Sequence, residues 1–148
     1  MNATTLISLF ERDLNKLITE VELYKNEENL WIVENNITNS AGNLTLHLIG
    51  NLNTFIGKEI GKTTYIRDRD LEFSQKNVPR IELIRKINET KTMIKNALNH
   101  LTNEDLLEDY PVLKFDETTT TEYLLVYLTL HLNYHLGQIN YHRRLLDN

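Results

Sequence analysis

Apolar residues recur along this chain at the spacing of one helix face, and four stretches carry the pattern. Leu6, Phe10, Leu14, Leu17, Val21 and Tyr24 fall on one stripe, with Glu11, Arg12, Asn15, Lys16 and Glu22 on the other faces. This predicts a first helix from about Thr5 to Tyr24. Asn39 or Ser40 suits the N-cap of a second, with Leu44, Leu48, Leu52, Phe55 and Ile56 as its stripe and Gly61 as its stop. Pro79 suits the first position of a third, where its missing N–H does no harm. Leu83, Ile84, Ile87, Ile94, Leu98 and Leu101 make that helix's apolar face. Thr119-Thr120-Thr121-Glu122 reads as a capping box that opens a fourth helix, which continues to about Leu146. Four amphipathic helices predict an all-α four-helix bundle, one domain over residues 1–148.

The connections add detail. Leu30, Trp31, Ile32 and Val33 form a run too short for a helix, and Trp31 is expected to plug one end of the bundle. The crossover from Gly61 to Val78 is polar and longer than the usual bundle connection of about 2–8 residues, so helices two and three can run parallel. Within it Arg67, Asp68, Arg69 and Asp70 alternate in sign and read as a solvated or salt-bridged loop, with a substrate contact as the alternative. Thr102-Asn103-Glu104-Asp105 resembles the cap of a short extra turn, which Asp109-Tyr110-Pro111 ends. Gly50 and Gly57 share a face of helix two. Each costs roughly 1 kcal/mol there against alanine. They imply close approach of another backbone, within the bundle or across a dimer.

Composition narrows the function. Of 148 residues, 41% are hydrophobic and 25% charged, which is the balance of an ordinary globular protein. A net charge of −5 argues against a nucleic-acid surface, which needs clustered Lys and Arg. No apolar run reaches the ~18 residues of a membrane span. Met1-Asn2-Ala3-Thr4-Thr5 lacks a basic segment ahead of an apolar one, so no signal peptide is expected. The absence of cysteine excludes disulfides and thiolate chemistry by the protein itself, and a cytoplasmic setting fits it. Any metal must be held by His, carboxylate, amide or water.

His131 and His135 supply the candidate chemistry. Four residues apart on a helix, their rings stack on one face about 6 Å apart along the axis. With Leu124, Leu128, Leu132 and Ile139 nearby, the pair is expected to point inward. His47, between Asn43 and Asn51 on helix two, is the best third ligand. If helices two and four are antiparallel and flush at one end, His47 and the His131/His135 pair both lie about 19–20 Å from the C-terminal end of helix four. Three imidazoles leave one coordination position open, the pattern of a catalytic metal site, and zinc or nickel would suit them. Leu132-Asn133-Tyr134 between the two histidines departs from the His-Glu-x-x-His motif, so its helical general base is missing. His142 lies about 10.5 Å along the axis from His135, too far to join the same ion. His100 is isolated and reads as a surface or packing residue. On spacing alone, a three-histidine site and three hydrogen-bonded core histidines are both open.

Asn39-Ser40-Ala41-Gly42-Asn43-Leu44-Thr45-Leu46-His47-Leu48-Ile49-Gly50-Asn51-Leu52, Tyr65-Ile66-Arg67-Asp68-Arg69 and His131-Leu132-Asn133-Tyr134-His135-Leu136-Gly137-Gln138-Ile139 together resemble the DinB-like superfamily of bacterial four-helix proteins. The resemblance implies an up-down-down-up bundle, a divalent metal on His47, His131 and His135, and a homodimer. Some members of that superfamily are thiol-dependent transferases or isomerases acting with bacillithiol or mycothiol. By that resemblance the metal would hold a small thiol as its thiolate, and Arg67, Arg69, Arg143 or Arg144 could hold an anionic part of it. Arg143 and Arg144 fit equally well as cations at a helix C-terminus.

Three functions therefore compete. The first is a metal-dependent enzyme, a small-thiol transferase or a hydrolase, acting on a small molecule. The second is a non-catalytic metal or ligand binder, since no general base is evident beside the triad. The third is a structural dimer built on the Gly50/Gly57 face. Gln138, Asn51 and Tyr134 are candidates for supporting the triad from behind.

Overall fold

The computed structural model describes residues 1–148 and is all-helical, with no β-strand. Six α-helices form: α1 (Ala3–Leu23), α2 (Ala41–Leu52), α3 (Arg69–Ser74), α4 (Arg80–Leu98), α5 (Asn103–Leu107) and α6 (Thr121–Leu146). A 3-10 turn spans Glu27–Trp31, and α2 continues as a π-helical segment over Asn53–Lys58. The four expected stripes are present and pack into one contiguous apolar core. No helix is long and apolar enough to cross a membrane.

Side-chain bonds fix how the long helices run. Between α1 and α6, Asp13 accepts from Asn133, Glu20 accepts from Asn140 and Arg143, and the Met1 ammonium pairs with Glu122. The sequence offset stays near constant, so these two helices are parallel. Between α1 and α4 the order reverses. Arg80 donates to the carbonyls of Glu22 and Tyr24, and Lys91 donates to Asn15. Asn53 bonds Thr90, Gly57 meets Met93 and Gly61 meets Ala97, so the second helical segment runs parallel to α4. It runs antiparallel to α6, with His47 opposite His131.

Several local expectations change. The N-cap of α6 is Thr120, which accepts from Tyr123 N–H, and Glu122 is thus one position too early to close a capping box. The capping box forms instead on α5, between Thr102 and Asp105. Pro79 occupies the N-cap position of α4, which ends at Leu98 rather than near Leu101. The Gly61–Val78 crossover contains α3, capped by the Asp68 carboxylate on Leu71 N–H. The left-handed residue at the end of the second helical segment is Lys62 (φ 55°), not Gly61. Gly61 is required for space: a Cβ there would lie 2.9 Å from the Gly57 carbonyl oxygen and 3.0 Å from Ala97.

The two shared-face glycines also answer to side chains, not to another backbone. Gly57 faces Met93 and Thr63, and a Cβ on Gly50 would lie 1.9 Å from a carboxylate oxygen of Glu72. Every residue of α2 is buried, because α3, α4, α6 and the 3-10 turn surround it. Trp31 packs as expected, its ring flat against Gly42.

At one end, Tyr24 O–H donates to Nδ1 of buried His142, whose Nε2–H donates to the Ile32 carbonyl. Burial holds this imidazole below its ordinary value, against the opposing pull of the Ile32 bond. The folded protein thus keeps His142 neutral where the unfolded chain takes up a proton. Stability is full above about pH 6.5, the unfolded value, and falls as pH drops toward the lower folded value. Urea unfolding between pH 7.5 and 5 is expected to show that loss, and His142→Gln to make it shallower. His131 and His135, shifted in the same direction, leave a remainder.

Candidate metal centre

His47 stands in the middle of α2, the most enclosed helix of the protein, and is itself buried. His131 and His135 lie one turn apart on α6. They flank the buried stripe of Leu124, Leu128, Leu132 and Ile139 rather than lying within it, so they face α2 and stay partly exposed. The structure brings the three together. Nε2 of His131 is 3.3 Å from Nε2 of His47 and 3.2 Å from Nε2 of His135. One ligand atom from each residue lies within 4.8 Å of the others. Tetrahedral zinc with Zn–N bonds near 2.0–2.1 Å separates its nitrogens by about 3.3–3.4 Å.

The outer nitrogens decide what the inner ones offer. His47 Nδ1–H donates to Glu72 Oε1 at 3.1 Å, and His135 Nδ1–H donates to Gln138 Oε1 at 2.7 Å. Each bond leaves Nε2 as a bare lone pair turned toward His131. A proton on His131 Nε2 could serve only one of the two, so a hydrogen-bonded core cluster leaves a lone pair facing nitrogen. A single cation would answer all three Nε2 lone pairs, and the residues fit one there, while His131 Nδ1 is buried without a partner. Burial, then the neighbouring His135 and His47, push His131 down to about 4. Burial likewise lowers His135. Neutral imidazole is the form that binds metal.

Glu72 is the residue that sequence reading missed. It comes from α3 in the supposed loop, is 6% exposed, and accepts from both His47 and Arg67. Arg67 grips it with two bonds, Nε–Oε2 at 2.8 Å and Nη2–Oε1 at 3.0 Å. Burial raises the carboxyl, but the bonds from His47 and Arg67 outweigh it and hold Glu72 below its ordinary value. Of the two loop readings, Arg67 takes the salt-bridged one. The cue was present in Asp68, a readable N-cap followed by Asp70 and Glu72 in a first helical turn.

Of the three candidate supports, between which the sequence does not choose, Gln138 bonds a triad member. Tyr134 is exposed and sets its ring edge-on to His135, 5.3 Å between centroids. Asn51 is buried with its Oδ1 unpartnered and bonds none of the imidazoles. Phe73, also from α3, packs against the His47 ring at 5.0 Å. His142 lies with Tyr24 and Ile32, apart from the triad, and His100 is exposed. Arg143 pairs with Glu20 and Arg144 lies over Tyr141, so neither faces the triad.

A carboxylate behind a ligating histidine fixes its tautomer and strengthens its lone pair, and losing such a partner typically lowers metal affinity about 10–100-fold. Glu72→Gln is expected to weaken zinc binding by that factor in a competitive chelator titration, with helix content unchanged by circular dichroism. Unchanged affinity would show that Glu72 serves only packing.

The comparisons with known proteins agree with the extent of the fold. No curated protein matches the chain. A family described as protein of unknown function, DUF1572, matches residues 5–148. That match spans nearly the whole sequence, and the chain belongs to the DUF1572 family.

Proposed function

We propose that this protein is a divalent-metal-dependent enzyme of the DinB-like type, one domain, with His47, His131 and His135 as ligands for zinc or nickel. The observation that carries the proposal is the convergence of the three Nε2 atoms, two of them turned inward by Glu72 and Gln138. The DinB-like assignment draws support from the helix directions. With α1 and α6 parallel, and the second segment and α4 parallel to each other but opposed to them, the four long elements match an up-down-down-up bundle.

Partial exposure of His131 and His135 favours a working site over a closed structural one. A divalent ion there would supply a Lewis-acid centre that favours the deprotonated form of a thiol or water at its open position. The protein's own groups discriminate between the two. Glu72, the carboxylate bonded to the triad, is committed to His47 and Arg67 and is not free to take a proton from water. A small thiol ionises near pH 8.5 and needs less help than water. Transfer from a low-molecular-weight thiol is therefore the preferred reaction, with hydrolysis second. The same commitment of Glu72 also supports a non-catalytic binder as the alternative. A homodimer belongs to the proposal too. Leu130, Tyr134 and Tyr141 form an exposed apolar stripe on α6, with Gly137 open beside them.

Metal analysis of the purified protein and thermal melts test the reading. Zinc at about 100 times its Kd should add roughly 2.7 kcal/mol, or about 5–10 °C in Tm for a chain of this size. His47→Ala should abolish that increment. Turnover of small electrophiles with small thiols should appear with zinc or nickel and vanish in His47→Ala. Metal binding without turnover of any thiol or ester would select the binding module. A wild-type protein that takes up no divalent ion would leave the metal proposal without support.

A further inference from the structure

Beside the triad stands one ammonium with no acid partner. Lys114, in the segment between α5 and α6, is half-buried over three aromatic rings. Its Nζ lies 4.3 Å from the centroid of Phe55, 5.4 Å from Tyr127 and 5.7 Å from Phe115. No carboxylate pairs with it, and the charges that act on it are those of Arg67 and Arg69. Tyr127 in turn stacks on His131, with 6.3 Å between centroids, so Lys114 is separated from the triad by one ring. Arg67 lies over the Phe55 ring at 6.0 Å and uses Nε and one Nη on Glu72, which leaves its second Nη for another acceptor. Arg69 is exposed over Phe73, the ring that packs on His47, and has no acid partner.

Cation–π contact accounts for part of this arrangement. It leaves the three N–H donors of Lys114 without an acceptor, and it brings an ammonium toward two guanidiniums that repel it. Glu72 cannot balance the group, because it already answers Arg67 and His47. A protein with a net charge of −5 thus keeps the unpaired ammonium of Lys114 and the unused Nη of Arg67 over one shared ring, at the rim of its histidine cluster. Such a field draws and holds an anion.

We propose that Lys114, Arg69 and the free Nη of Arg67 form a subsite for the anionic end, a carboxylate or a phosphate, of a small molecule whose other end reaches the histidine nitrogens. The proposal deepens the functional reading and rests on it for the role of the second end. The anion subsite itself stands on the cation geometry. Guanidinium and ammonium together take a carboxylate or a phosphate through charge-assisted bonds, and the rings beneath half-buried Lys114 shield its side of the subsite in part from water. The ring faces of Tyr127 and Phe115 set the span between the held anion and the reacting end.

The test uses the metal-free full-length protein, titrated with inorganic phosphate and separately with acetate at constant ionic strength, and read by backbone amide NMR. Saturable shifts are expected at residues 67–69, 114 and 127. Lys114→Met keeps the stem and the ring contacts, and Arg69→Gln changes an exposed position. Weakening of about tenfold in either variant supports the subsite, and the anion that saturates first identifies the group it takes. Shifts that never saturate, or affinities unchanged in both variants, overturn it. Zinc binding is measured on the same samples. A wild-type protein that binds phosphate or acetate but no zinc removes the metal reading and keeps the anion subsite. Zinc binding with no saturable anion removes the subsite alone.

Discussion

A carboxylate nearly sealed from water is costly unless every lone pair has a partner, and Glu72 is such a group. Two donors answer it, the forked guanidinium of Arg67 and the Nδ1–H of His47. Several other features follow from keeping that arrangement in place. Gly50 must be a glycine, since the carboxylate occupies the volume of its Cβ. The α3 turn must form, since it carries Glu72, and Asn43 ties it down by donating to the carbonyls of Glu72 and Gln75. His47 must present Nε2 inward, because its other nitrogen is spent. One buried charge thus connects the crossover, the middle of α2 and the candidate metal centre.

The rest of the frame sets the distance across which the triad closes. Parallel packing of α1 on α6 is pinned along its length by Asp13, Glu20 and the Met1–Glu122 pair. At the far end Asp147 accepts from the backbone N–H groups of Lys25 and Asn26 and from Asn29, which anchors the C-terminus of α6 to the chain leaving α1. With α6 held in register, His131 and His135 arrive at the level of His47. A one-residue slip of α6 would turn these side chains by about 100° and dissolve the cluster.

Polarity is divided cleanly around the histidines. On the α3 side lies a satisfied ion network, in which Arg67, Glu72 and His47 balance. On the side toward Phe55, Phe115 and Tyr127 lie aromatic faces with Lys114 above them. The nitrogens are thus oriented from one side, while on the other His131 stacks on Tyr127.

Much of this was legible in the chain as written. The four apolar stripes, the Ser40 cap and the spacing of His131 and His135 are local facts, since helical periodicity and capping depend on residues three or four apart. The level of His47 followed from helix lengths once helices two and four were taken as antiparallel and flush at one end. What could not be read locally is which groups meet across the fold. Arg67 and Asp68 looked like loop charges because nothing in their neighbourhood shows that α3 folds back on α2. Gly50 looked like a helix–helix contact because a missing Cβ does not say what fills its place. Lys114 reads as an ordinary loop charge until packing sets it, with its neighbour Phe115, against Phe55 and Tyr127 from two other segments. Sequence alone determined the four long helices and the three imidazoles. Tertiary packing decided what the buried charges and the Nε2 lone pairs meet, because desolvation and pairing are properties of surroundings that only the closed fold creates.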